Sequence, residues 1–144
     1  MRGPILAGRS ILIVEDEPLI ALDMEIALRR VGAKVLSTAY LWVGLHFAEH
    51  PGLSAAVLDL RLGLDDCTAI CRRLSELRVP FMFYSGYGGA ATYELWPNAP
   101  VLSKPANAER IVEAVAGMLL RAWSAPCCGA MSIKSRDRRP NTLM

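Results

Sequence analysis

Residues that could bind a cation and a phosphate follow short apolar runs of the chain. They comprise three acids, one hydroxyl and one ammonium group: Glu15, Asp16, Asp59, Ser85 and Lys104. Carboxylates within a few ångströms of one another repel strongly unless a cation neutralises them. Oxygen ligands without a nearby histidine or thiolate suit Mg²⁺ or Mn²⁺ rather than zinc. If the fold brings these residues together, we therefore expect a divalent cation between the acids and an oxyanion held by Lys104.

The elements that must position these residues are short strands that alternate with helices. Apolar and β-branched runs predict strands at residues 10–14, 34–39, 55–58, 80–84 and 99–102. Apolar periodicity predicts helices at residues 18–31, 41–49, 66–77 and 106–121. The stretch 86–98 contains three glycines and Pro97, so any helix there is expected to be short. The alternation predicts an α/β fold, a doubly wound five-stranded parallel sheet with helices on both faces.

Each polar group directly follows a predicted strand. Glu15 and Asp16 follow the first strand, Asp59 the third, Ser85 the fourth and Lys104 the fifth. The carboxyl ends of parallel strands meet at one edge of the sheet, where ligands bind in a crevice. The sequence therefore predicts that these side chains converge at that edge.

Four stretches of the chain resemble, in order and spacing, the motifs of the receiver domain of two-component response regulators. They read Ile-Leu-Ile-Val-Glu15-Asp16-Glu-Pro, Val-Leu-Asp59-Leu-Arg, Phe-Tyr-Ser85-Gly86 and Leu-Ser-Lys104-Pro105. The resemblance covers about residues 10 to 123 and implies a flavodoxin-like sheet. The third stretch is similar to receivers that carry a Phe-Ala-Thr-Gly run, from which Tyr84 and Ser85 depart.

The resemblance also implies a role for each site residue. Asp59 would be the phosphoacceptor. Asp16, Asp59 and the backbone carbonyl of Arg61 would bind Mg²⁺, with Glu15 acting directly or through water. Lys104 would pair with the phosphoryl oxygens, Ser85 would donate a hydrogen bond to one of them, and the Lys104–Pro105 peptide bond would be cis.

A bacterial, cytoplasmic signalling protein is the function that the resemblance implies. A sensor histidine kinase or a phosphotransfer protein would supply the phosphoryl group, and the domain would catalyse only its own phosphorylation and dephosphorylation. The signal would leave by protein–protein contacts or by phosphorelay. Because many receivers form dimers, the resemblance also implies a homodimer as a further expectation. The downstream target is not given by the sequence.

One departure concerns the output. Many receivers carry Tyr or Phe three residues before the lysine as a switch, and here this position is Val101. We therefore expect the response to lie in the loop 86–89 and in residues 93–97, where glycine gives backbone freedom. Arg61 and Tyr87 lie two residues beyond site residues, and we expect them to limit the approach of water to a phosphorylated Asp59.

The 144 residues, 53% hydrophobic, suffice for one ordinary domain. We predict an N-terminal extension at 1–9, the receiver domain at 10–123 and a flexible basic tail at 124–144. The tail is too short for a DNA-binding domain, and the rest of the chain is close to neutral. We therefore expect no nucleic-acid partner, and the absence of a long apolar run predicts no membrane span and no secretory signal.

Rival functions have weaker support. The run from Gly86 to Ala91 mimics a dinucleotide fingerprint, but no acid follows at the end of the next strand. An aspartyl-phosphate hydrolase would need Asp-x-Asp, which neither Glu15-Asp16 nor Asp59-Leu-Arg61 supplies. A pseudo-receiver that binds partners without being phosphorylated remains as the alternative function.

Overall fold

The computed structural model describes residues 3–59, 67–86 and 96–124 of the chain. Five strands form its sheet: β1 (Ser10–Val14), β2 (Lys34–Thr38), β3 (Leu53–Leu58), β4 (Phe81–Ser85) and β5 (Val101–Ser103). The helices in these ranges are α1 (Gly3–Leu6), α2 (Pro18–Arg30), α3 (Leu41–Ala48), α4 (Thr68–Glu76) and α5 (Ala108–Ser124). Within the same ranges, no helix is long and apolar enough to cross a bilayer.

The strands are all parallel, and their order across the sheet is β2-β1-β3-β4-β5. The predicted doubly wound, five-stranded α/β fold is thereby confirmed. The chain adds β2 on one side of β1 and then crosses to add β3 on the other side. Such a reversal opens a crevice at the carboxyl ends of the two strands on either side of it. The fold therefore favours a ligand site at the ends of β1 and β3.

Two strand and helix boundaries show how local chemistry sets an element's start. β5 begins at Val101 instead of residue 99, because Pro100 has no amide hydrogen to give to the ladder. The Pro100 carbonyl instead accepts a hydrogen bond from the Phe83 amide at 2.9 Å. α5 begins at Ala108 instead of residue 106, because the Asn107 side chain accepts the Arg110 amide at 2.9 Å and caps the first turn.

Two hydrophobic clusters cover the two faces of the sheet. Alternation along β1 sends Ile11 and Ile13 to the face covered by α2 and α5. Leu12 and Val14 point to the other face, which α3 and α4 cover. Gly44 lets α3 lie close to the sheet, since a Cβ there would come within 2.9 Å of Val14 Cγ2. β1 therefore lies between two layers of helices, one on each face of the sheet.

The N-terminal segment differs from the prediction of an extension at residues 1–9. Leu6 of α1 is fully buried and belongs to the apolar cluster beneath α2 and α5. The Gly8 amide donates to the Gly32 carbonyl at 2.9 Å, and the Lys34 amide donates to the Arg9 carbonyl at 2.7 Å. Gly32 ends α2 with a φ of 90°, where a side chain would be strained. Residues 3–9 therefore pack as part of the domain.

Candidate functional site

The ends of β1 and β3 bring two acids side by side. Val14 is paired with Leu58, so the residues that follow, Glu15 and Asp59, are neighbours. The Asp59 amide donates to the Val14 carbonyl at 3.0 Å and extends the pairing by one residue. Since side chains alternate along a strand, both acids point to the same side of the sheet as Ile13. The strand register therefore fixes where these two carboxylates lie.

A third acid completes a cluster of carboxylates. One oxygen each from Glu15, Asp16 and Asp59 lies within 4.8 Å of the others. The Glu15 and Asp59 side chains are each 1% exposed, whereas Asp16 is exposed. Three negative charges this close repel one another, and two of them have lost most of their water. The cluster is therefore unfavourable unless positive charge lies beside it.

Lys104 supplies positive charge on one side of the cluster. Its Nζ lies 3.0 Å from Glu15 Oε1 and 3.4 Å from Asp59 Oδ2. Its backbone amide donates to the Ser85 carbonyl at 3.0 Å, which carries the pairing of β4 and β5 past the end of β5. The Lys104–Pro105 peptide bond is cis, as the sequence resemblance implies.

Burial dominates the ionisation of Glu15. It raises the pKa of this carboxyl to about 7, although the Lys104 ammonium and the Glu17 amide act in the opposite direction. The Glu17 amide donates to Glu15 Oε2 at 3.1 Å. The charge of Asp59 also raises the pKa of Glu15. The negative charge of the clustered carboxylates is therefore unfavourable, and a further cation would stabilise it.

The structure brings together most of the residues predicted from the sequence. Glu15, Asp16, Asp59 and Lys104 form the cluster, and Ser85, 4% exposed, ends β4 at the same edge of the sheet. Arg61, whose carbonyl was expected to bind the metal, lies outside the described residues, as does Tyr87.

Three contacts at this edge, made by Cys67 and Tyr84, could not be predicted from the sequence. The buried thiol of Cys67, at the start of α4, donates to the Asp59 backbone carbonyl at 3.0 Å. Tyr84, next to Ser85, places its ring 5.5 Å from Lys104 Nζ and accepts the Ala106 amide at its hydroxyl at 3.0 Å. No spacing in the sequence indicates which groups Tyr84 meets.

The donor set can be tested against the expected metal. The cluster offers carboxylate oxygens from three residues, and neither histidine nor thiolate belongs to it. Hard oxygen donors of this kind fit Mg²⁺, which keeps several of its waters and uses few protein ligands. The exposed position of Asp16 leaves room for such waters. The residues present therefore fit a magnesium ion.

Comparison with solved structures identifies the fold. A CheY-like response regulator receiver domain protein from Methanospirillum hungatei matches with a TM-score of 0.72 and 22% identity, over 81% of this chain and 98% of that one. A response regulator receiver protein from Sinorhizobium medicae matches with a TM-score of 0.71 and 22% identity, over 80% and 97%. At these identities the likeness is one of fold.

Comparison of sequences adds one relative. No protein-family model matches the chain. The phyllosphere-induced regulator PhyR of Methylorubrum extorquens is 33% identical over 81 residues, which are 54% of this chain and 30% of the relative. The chain thus spans only about 30% of that regulator. The resemblance predicted from the four motifs is confirmed, because the chain has the fold of a response regulator receiver domain.

Proposed function

We propose that the protein accepts a phosphoryl group on Asp59 and passes the resulting signal on through protein contacts or phosphorelay. The observation that carries this proposal is the cluster of three carboxylates with Lys104 beside it, at the carboxyl edge of a receiver-type sheet. The pairing of Asp59 with β1 fixes its backbone, so its carboxylate is aimed before a donor arrives. Preorganised groups of this kind lower the cost of reaching the transition state.

In the proposed reaction, a carboxylate oxygen of Asp59 attacks phosphorus. A bond from that oxygen to phosphorus forms while the bond from phosphorus to the donor's leaving group breaks, and the product is an acyl phosphate. Lys104 lies 3.4 Å from Asp59 Oδ2, close enough for its ammonium to bind a phosphoryl oxygen on that side. Ser85 is placed at the same edge to donate a hydrogen bond to a second oxygen.

Asp16 and Asp59 would hold Mg²⁺, with Glu15 acting directly or through water and the Arg61 carbonyl as a further ligand. The ion would supply positive charge that offsets the negative charge of the carboxylates and of the incoming phosphoryl group. Asp16 is the exposed member of the cluster, so it is the acid that can reach both the ion and its waters. Glu15 is held by Lys104 and by the Glu17 amide, which suits an indirect role.

The phosphoryl donor would be a sensor histidine kinase or a phosphotransfer protein. Asp16 is open to solvent, so a donor protein could reach Lys104 and the acids from this edge of the sheet. Since the chain spans about 30% of PhyR, the output of that longer regulator is not carried over. We propose instead that the described domain signals through its own surface.

Labelling with acetyl phosphate tests the proposal. We expect wild-type protein to gain one phosphoryl group by mass spectrometry in Mg²⁺ and none in a chelator. Asp59→Asn should lose the label because it lacks the nucleophile, and Asp16→Ala should lose it because Mg²⁺ binding fails. Asp23→Asn, an exposed acid on α2 outside the cluster, is the matched control and should label normally.

Two results would contradict this function in different ways. A label that persists in Asp59→Asn would place the phosphoryl group elsewhere. A wild-type protein that binds Mg²⁺ but takes no label from acetyl phosphate or from a histidine kinase would be a pseudo-receiver, acting as an adaptor.

A further inference from the structure

We propose that Tyr84 is a positioning residue for Lys104, holding the ammonium over the carboxylates in the geometry that phosphoryl binding needs. This inference rests on the proposed function and adds a residue to it. Tyr84 is 4% exposed and belongs to the cluster beneath α2 and α5, so its ring has a fixed place in the core. It is also one of the two positions at which the third motif departs from the Phe-Ala-Thr-Gly run.

The ring of Tyr84 acts on the charged end of Lys104. The ammonium nitrogen lies 5.5 Å from the ring centroid, within the range in which a cation is attracted to an aromatic face. The same nitrogen lies 3.0 Å from Glu15 Oε1 and 3.4 Å from Asp59 Oδ2. Lys104 therefore lies between two carboxylates and an aromatic ring, and its side chain is only 14% exposed.

The hydroxyl of Tyr84 acts on the backbone beyond Lys104. Its oxygen accepts the Ala106 amide at 3.0 Å, on the far side of Pro105. On the near side, the Lys104 amide is held by the Ser85 carbonyl at 3.0 Å. One side chain thus contacts the lysine's charged end through its ring and anchors the turn that follows the lysine through its hydroxyl.

Lysine needs such support because its side chain is long and flexible. A lysine held in one conformation gives up much rotational freedom, and its ammonium binds as a point charge without a preferred direction. With the ring removed, the ammonium would keep its contacts with Glu15 and Asp59 but lose the contact that restricts its movement between the two carboxylates. We expect a less ordered Lys104 to bind a phosphoryl oxygen more weakly.

Three variants separate the two contacts from the general effect of losing core volume. Tyr84→Leu removes the ring and the hydroxyl, and Tyr84→Phe keeps the ring and removes only the bond to Ala106. Phe83→Leu is the matched control, because Phe83 is a fully buried aromatic on the same strand that points to the opposite face of the sheet. All three should be compared with wild type in urea unfolding, so that lost stability is known for each.

Nuclear magnetic resonance reports the position of Lys104 without any phosphorylation. We expect the ring of Tyr84 to shift the resonances of the Lys104 methylene protons beside the ammonium. The shift should persist in Tyr84→Phe and in Phe83→Leu. Because Tyr84→Leu has no ring to cause a shift, the order of the lysine side chain is compared by carbon-13 relaxation of the same methylene, which should be more mobile in Tyr84→Leu than in wild type or Phe83→Leu. If this methylene is as ordered in Tyr84→Leu as in wild type, the ring does not position the lysine and the inference is overturned.

Labelling and a double-mutant cycle complete the test. The rate of labelling by acetyl phosphate should fall about fivefold in Tyr84→Leu, as expected for a cation–π contact whose ammonium keeps part of its water, and hardly at all in Phe83→Leu. In a Lys104→Met background, Tyr84→Leu should change the unfolding equilibrium constant about fivefold less than in wild type. Equal effects in both backgrounds, or equal labelling of Tyr84→Leu and Phe83→Leu, would reduce Tyr84 to an ordinary core residue.

The outcomes also distinguish this inference from the proposed function. If wild type takes no label, the function fails, while the methylene relaxation and the unfolding cycle still decide whether Tyr84 positions Lys104. If wild type labels on Asp59 and the Lys104 methylene is as ordered in Tyr84→Leu as in wild type, the function stands and the inference fails.

Discussion

Two groups of one cation and two carboxylates, among the residues that the structure describes, have opposite surroundings. Lys104 lies between Glu15 and Asp59, whose side chains are 1% exposed. Arg73 of α4 donates from Nη2 to Glu49 Oε1 at 2.9 Å and from Nη1 to Glu76 Oε1 at 2.9 Å, and all three side chains are at least 40% exposed. The formal charges are the same in the two groups, so their differences follow from burial and from the presence of Asp16.

The pKa values of Glu15 and Glu49, one acid from each group, move in opposite directions. Burial raises the pKa of Glu15 to about 7 despite its lysine partner. Hydrogen bonds from Arg73 lower the pKa of Glu49, which keeps most of its water. An ion pair whose water is retained stabilises the charged acid, whereas a buried pair can fail to repay the loss of hydration. The exposed ion pairs therefore connect the end of α3 to α4 at little cost in hydration. The buried carboxylates, in contrast, carry negative charge that a positively charged ligand would stabilise.

The largest expected effect is the removal of the buried cation. Lys104→Met should lower the free energy of unfolding by about 3 kcal/mol in a chelator, because it removes the positive charge beside two buried carboxylates. Addition of Mg²⁺ should recover more stability in this variant than in wild type, since the ion replaces the missing charge. Urea unfolding with and without Mg²⁺ measures both effects. Arg73→Met is the matched control, and a similar loss there would show that burial does not distinguish the groups.

The pH dependence of Glu15 gives the next effect. In a chelator, the folded protein keeps the Glu15 proton up to about pH 7, whereas the unfolded chain releases it near the ordinary pKa of 4.5. Wild-type stability should therefore fall as the pH rises from 4.5 to about 7, by on the order of 2 kcal/mol. Glu15→Gln lacks this proton and should show a flatter profile in urea unfolding across the same window. A wild-type profile that rises with pH there, relative to Glu15→Gln, would contradict the raised pKa.

The smallest expected effect lies at the exposed group. Glu49→Gln should lower the free energy of unfolding at neutral pH by about 0.5 kcal/mol, and added salt should reduce the difference. Because the folded pKa of Glu49 is lowered, its contribution is fully present above pH 4.5 and is lost as the pH falls through the lowered value. Thermal unfolding of Glu49→Gln and wild type at two salt concentrations measures this. A salt-independent loss would mean that packing, not charge, is responsible.

The placement of the charged residues could be predicted because the positions and ends of the strands along the chain can be inferred from the sequence. β1 occupies the predicted residues 10–14, Glu15, Asp59 and Lys104 directly follow their strands as expected, and Ser85 is the last residue of β4. Alternation and periodicity report which face a residue takes, since both depend on local geometry. The convergence of the acids then follows from parallel strands meeting at one edge.

The missing contacts depend on groups that are distant in sequence. The Cys67 thiol and the Asp59 carbonyl that it binds are eight residues apart in sequence, and Tyr84 and Ala106 are 22 residues apart. Neither follows from a repeat of two or of 3.6 residues. Leu6 was missed for a related reason, because a single turn of helix is too short to show periodicity.

The burial of Leu6 has a consequence for how the domain can be joined to other sequence. α1 leads directly into the start of β1, so it lies at the amino end of the strands, about 16 Å of strand length from the carboxylates. A tag or a neighbouring domain attached ahead of Gly3 would emerge far from the edge that carries the carboxylates and would leave it accessible. A version trimmed to begin at Ser10, where the motifs begin, would instead lose Leu6 and expose the part of the core that this side chain covers.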